Sequence, residues 1–130
     1  MRQTFSKDER LCSHIIIRRL FAGGLTFNLR PFRVTWLLQP LDLPSPVQVL
    51  ISVPKYNFRK AVHRNLIRRR IKEAYRMNKH LIYNSLSSKG RQMAICITYT
   101  AKEIEPSDLI QGKIILLLQR LIIENEKVTG

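Results

Sequence analysis

The stretch SVPKYNFRKAVHRNLIRRRIKEAYRMNK, Ser52 to Lys79, decides how the rest of the chain is read. It begins as the end of an apolar run, passes Pro54 and a short polar connection, and becomes one amphipathic segment that predicts a helix to about Ile82. At about 100° per residue, Ile67, Ile71, Ala74, Asn78 and Leu81 share one stripe, flanked by Leu66, Met77 and Ile82. That stripe is expected to face a core. Asn65, Arg68, Arg69, Lys72, Arg76 and Lys79 fall on the opposite side, and Glu73 is the one carboxylate in the segment. Solvated helix faces ordinarily mix signs so that Glu and Lys pair at i,i+4 spacing, whereas this one offers a single carboxylate among many cations. Arginine pairs bidentately with phosphate oxygens or stacks on bases, and asparagine can donate and accept at a base edge or a ribose hydroxyl.

The rest of the composition points the same way. The 130 residues, 45% of them hydrophobic, suffice for one core and predict a single domain over 1–130. They carry 23 Lys and Arg against 9 Asp and Glu, a formal charge of +14. Folding does not need that excess; a polyanionic partner explains it. A lipid surface would need the apolar stripe free to enter it, yet the stripe is required to cover a sheet, so no membrane partner is expected. A DNA-binding helix would call for a helix-turn-helix partner just upstream, where VQVLISV stands instead, so no DNA is expected. Cys12 and Cys96 have no CxxC spacing and suggest neither zinc nor a disulfide, which fits a reduced cytoplasmic setting. Ile15–Ile17 is too short for a signal-peptide core, and the run Ile114–Ile123, broken by Gln119 and Arg120, is too short to span a bilayer.

Outward from the basic segment, Lys7 to about Phe21 predicts a first helix, with Leu11, Ile15 and Leu20 at helical spacing and Gly23-Gly24 as its stop. Leu25–Leu38 and Val47–Val53 read as strands separated by Pro40, Pro44, Ser45 and Pro46, most simply an antiparallel pair. Pro31 puts the true start of the first run at Phe32, or the run at a sheet edge. The residues from Tyr83 to Arg91 read as a loop. RQMAICITYT, Arg91 to Thr100, alternates Met93, Ile95, Ile97 and Tyr99 with Ala94, Cys96 and Thr98, a third strand whose small face can lie under a helix. Ser107 or Asp108 is expected to cap a last helix. The order is αββαβα.

Ser52 to Lys79 resembles the protein subunit of bacterial ribonuclease P, in which a strand ending in Ser-Val-x-Lys leads into an Arg-Asn-Arg-type helix. SVPK followed by RNLIRRRIKEAYRMNK carries that pattern, and RRLFAGG, PFRVTWLL, the third strand and the closing helix extend the resemblance over most of the chain. The resemblance implies an α/β (α+β) sandwich like that of a small-subunit ribosomal protein domain, with a left-handed βαβ crossover. It implies that the catalyst is the RNA partner, that Mg²⁺ sits at that RNA with no cofactor on the protein alone, and that water cleaves precursor tRNA to leave a 5′-phosphate on the mature product. The protein would bind the catalytic RNA through Arg64, Asn65, Arg68, Arg69, Lys72 and Arg76. It would hold the 5′ leader of precursor tRNA in a cleft between the first helix and the sheet, for which Phe21, Phe32, Arg33, Trp36, Ser52 and Lys55 are the candidates. Leu66 stands where that family usually has a second arginine. Arg70 stands where an apolar residue is usual, either a relocated base or one that snorkels to the helix edge. Ile17 occupies a frequent aromatic position, and the YNFRKAV turn is longer than the commonest form.

Nothing in the residues predicts catalysis or a metal site on the polypeptide. His14, His63 and His80 are scattered, and no paired carboxylates, Gly-rich phosphate loop or nucleophile elbow occur. Glu73 is expected to pair with nearby arginines. The alternative is a structural RNA-binding protein of ribosomal type, in which the same helix only neutralises phosphates.

Overall fold

The computed structural model describes residues 7–41 and 44–128. A 3₁₀ turn, Lys7–Glu9, precedes α1 (His14–Gly23), β1 (Leu25–Leu29), β2 (Phe32–Leu38), β3 (Val47–Ser52), α2 (Ala61–Asn78), α3 (His80–Ser88), β4 (Met93–Tyr99) and α4 (Ser107–Lys127). The α/β class expected from the sequence holds. Two expected elements are split: the first strand run is a β1–β2 hairpin turning at Arg30-Pro31, and the basic helix breaks at Lys79.

The sheet order is β1-β2-β4-β3. The runs expected to form an antiparallel pair therefore do not touch as one: β2 pairs antiparallel with β1 and β4, while β3 lies parallel to β4. β4 takes the inner position because six of its seven residues are buried, so it needs cover on both faces. A parallel β3–β4 pair requires a long crossover, and α2 with α3 supplies it.

Alternation divides the sheet into two faces. Phe32, Val34 and Trp36 of β2, Val47 and Val49 of β3 and Met93, Ile95, Ile97 and Tyr99 of β4 pack with Ile67, Ile71, Ala74 and Tyr75 of α2 and with α3 and α4. On the other face Ala94 and Cys96 lie under Ile16 and Leu20 of α1, as their small size suggested. The first helix is shorter than expected. Ser13 caps it by accepting from the Ile16 N–H, and Leu11, ahead of that cap, donates its N–H to the Val49 carbonyl instead of entering the helix. Ile15 consequently faces solvent. Gly24 ends α1 where a Cβ would stand 2.4 Å from the Leu20 carbonyl oxygen and 3.0 Å from that of Trp36, so the close approach of helix to sheet requires glycine.

The expected loop from Tyr83 is mostly helix. Ile82, Tyr83 and Leu86 are buried, and Gly90, at φ 64°, closes α3 with Arg91 N–H on the Leu86 carbonyl and Gly90 N–H on that of Ser87. Asn125 of α4 donates to Ser85 Oγ at 3.0 Å. Neither Ser107 nor Asp108 caps α4; the capping position is Pro106, and both residues lie in the first turn, where the Asp108 carboxylate still complements the helix dipole. In α2, Tyr75 joins the expected stripe, whereas Met77 is exposed and Lys79 is buried rather than on the cationic side.

Candidate nucleic-acid interface

Two surfaces hold the candidate RNA-binding residues. On α2, Asn65, Arg69 and Lys72 are exposed and Arg68 and Arg76 half-buried, because the core stripe turns the other way. Arg68 donates to Asn65 Oδ1 at 3.2 Å, one turn back. Arg76 forms a two-point pair with Glu73, through Nε at 3.1 Å and Nη2. That hydrogen bond holds the exposed Glu73 carboxyl below its ordinary range, so the carboxylate stays charged and partly offsets the cationic face.

The remaining arginines of α2 have structural partners. Arg64 reaches back from Nη1 to the carbonyls of Phe58 at 2.7 Å and Arg59 at 2.9 Å, bracing the loop ahead of α2. Arg70 Nη1 donates to the Glu105 carbonyl at 2.6 Å and ties α2 to the β4–α4 loop. Of the two readings of Arg70, the snorkelling side chain is the one present: its stem leaves the buried stripe and its head finds a backbone acceptor at the helix edge.

The second surface lies on the α1 face of the sheet. Register aligns Asn28 with Arg33, Arg33 with Thr98 and Thr98 with Ser52. Four polar side chains thus cross all four strands in one row, about 14 Å from end to end at the usual strand spacing. The next row toward α1 holds Thr26 and Thr35, whose hydroxyls are 3.2 Å apart. A Cβ on Gly24 would lie 3.1 Å from Thr35 Cγ2, so the end of α1 meets the sheet one row from Arg33. Phe21, one turn after half-buried Ile17, is 59% exposed at that end. Lys55 is exposed just beyond the β3 edge.

Phe32 and Trp36 are not on this surface. Strand alternation points both to the opposite face, into the main core, where Trp36 is only 4% exposed. Asn28 and Thr98 were missed as candidates. Parity with Arg33 and Ser52 would have found them, but only once the pairing of β1, β2, β4 and β3 was known. The three histidines fall at the starts of three different helices.

The ribonuclease P family model matches residues 5–121. The chain belongs to the ribonuclease P protein family. A ribonuclease P protein component of Porphyromonas gingivalis is 35% identical over 99 residues, 76% of this chain and 72% of the relative. One of Picosynechococcus sp. is 30% identical over 124 residues, 95% and 96% of the two chains. Among solved structures, the RNase P protein of Thermotoga maritima superposes with a TM-score of 0.69 at 21% identity, covering 94% of this chain and 99% of that one. A Staphylococcus aureus RNase P protein mutant with defective mRNA degradation activity gives 0.69 at 22% identity, with 88% and 89% covered. As a ribonuclease P protein component, the chain is part of an endoribonuclease ribonucleoprotein, an assembly of tRNA processing.

Proposed function

We propose that the chain binds the catalytic RNA of ribonuclease P along the outward face of α2 and holds the 5′ leader of precursor tRNA on the polar row beside α1, assisting leader removal while the RNA and its Mg²⁺ carry the chemistry. One observation carries this reading: the cationic face of α2 and the row containing Arg33 lie on opposite sides of one sheet, so two RNA segments can be engaged at once. Asn65, Arg68, Arg69, Lys72 and Arg76 contact the catalytic RNA; Phe21, Arg33, Ser52 and Lys55 contact the leader, joined by Asn28 and Thr98. Phosphates meet guanidinium and ammonium groups, and the exposed Phe21 ring offers a face to an unstacked base.

Reconstitution tests it. At low Mg²⁺, addition of the chain to a bacterial ribonuclease P RNA should restore cleavage of precursor tRNA. Absence of rescue, with binding to other structured RNA intact, would favour the ribosomal-type alternative.

A further inference from the structure

The loop from Pro54 to Lys60 joins the end of β3 to the first turn of α2, and the residue near its tip is accounted for by neither surface. Tyr56 is 81% exposed, more than any other large apolar side chain among the described residues. Tyrosine normally buries its ring and wets only its hydroxyl. The loop around it is nevertheless well anchored. Asn57 N–H donates to the Pro54 carbonyl at 3.3 Å, closing a turn. Phe58 is buried with its ring 5.9 Å from that of Tyr99. The Arg64 guanidinium holds the carbonyls of Phe58 and Arg59. Backbone on both sides of Tyr56 is fixed, and the ring is held out from the surface. Lys55, Arg59 and Lys60 of the same loop are all exposed.

We infer that Tyr56 is a stacking platform for one unpaired base of the bound RNA, with Lys55, Arg59 and Lys60 neutralising the phosphates beside that base. An unstacked base needs a π-face and flanking positive charge, and a rigid loop supplies both with little ordering cost. The inference rests on the RNA-binding function proposed above and adds to it a contact made by neither α2 nor the sheet.

The test compares Tyr56→Ala, Tyr56→Phe and an Arg68→Ala/Arg69→Ala double variant of the full chain. Each is titrated against ribonuclease P RNA alone and, in the assembled holoenzyme, against precursor and mature tRNA, over a range of salt. Tyr56→Ala should weaken binding by roughly 5- to 100-fold with the salt slope unchanged, because no charge is lost, and Tyr56→Phe should retain affinity because the ring is kept. Loss toward the RNA alone places the base in the catalytic RNA; loss confined to precursor places it in the leader. Tyr56→Ala within twofold of the parent on both RNAs overturns the inference while leaving the function standing if the arginine variant is impaired. An equal loss for Tyr56→Phe overturns stacking in favour of the hydroxyl. If the arginine variant is also silent, the RNA-binding function itself fails.

Discussion

Lys79 Nζ lies 2.7 Å from Glu9 Oε2, with both side chains almost wholly buried. Tyr83 donates its hydroxyl to the same carboxylate oxygen, and Tyr75 donates to Tyr83. Burial, the leading cause, holds both phenols above their ordinary range, so they remain donors. The pair fastens the 3₁₀ turn to the break between α2 and α3. Breaking a buried ion pair by removing one partner is destabilising, so Lys79→Met should lower stability in urea unfolding, by up to about 3–5 kcal/mol. Glu9→Gln combined with Lys79→Met should cost less than the sum of the single changes. Additive losses would show that the two groups are not coupled.

Phe32 and Trp36 should separate from Arg33 by phenotype. Truncation of either buried aromatic to Ala removes core volume and should destabilise the fold by about 3–5 kcal/mol. In the fraction that remains folded, the preference for precursor over mature tRNA should be unchanged. Arg33→Ala should leave the melting temperature within a few degrees of the parent and lower that preference. A selective loss of precursor binding in Trp36→Phe, with stability intact, would move Trp36 back into the cleft.

The contrast between those residues shows what the sequence could reveal. Alternation in β4 assigned Ala94 and Cys96 to the face under a helix, and helical periodicity put Ile67, Ile71 and Ala74 in the core, because both patterns are local. Strand order is not local. It follows from the burial of β4 on both faces, which is satisfied only between β2 and β3, and the α1-face row through Asn28 and Thr98 exists only in that order. Lys79 read as exposed because its partner is 70 positions away. Tyr83 to Ser88 read as a loop because Asn and Ser favour turns, yet burial of Tyr83 and Leu86 and the Asn125–Ser85 bond overrule propensity.

The two cysteines should differ in reactivity. Cys12 is exposed and Cys96 buried. Burial raises the Cys96 thiol above its ordinary range, against a smaller opposing effect of its hydrogen bond with Thr98. The folded state thus favours the protonated thiol, giving stability that is present below the unfolded thiol's pKa of about 8.5 and is lost as pH rises toward the folded value. At pH 8, iodoacetamide should modify Cys12 alone in the native chain and both thiols in urea. Native labelling of Cys96 at the same rate as Cys12 would mean that α1 does not cover β4.

Glu73 and the arginines near it should shift RNA binding in opposite directions. Arg68→Ala with Arg69→Ala removes two phosphate contacts and should flatten the slope of log affinity against log salt by roughly 1.5–2. Glu73→Gln takes the charge out of the pair with Arg76, loosens the hold on that guanidinium and removes a negative charge from the RNA-facing side. It should tighten binding by about two- to fivefold, with a slope at least as steep as the parent's. Because Glu73 is exposed, the substitution should leave unfolding by urea nearly unaltered, so a change in affinity is separable from a change in fold. Weaker binding by Glu73→Gln would indicate that the carboxylate holds Arg76 in its RNA-binding position; the Glu73→Gln/Arg76→Ala double variant would then bind no more weakly than Arg76→Ala alone.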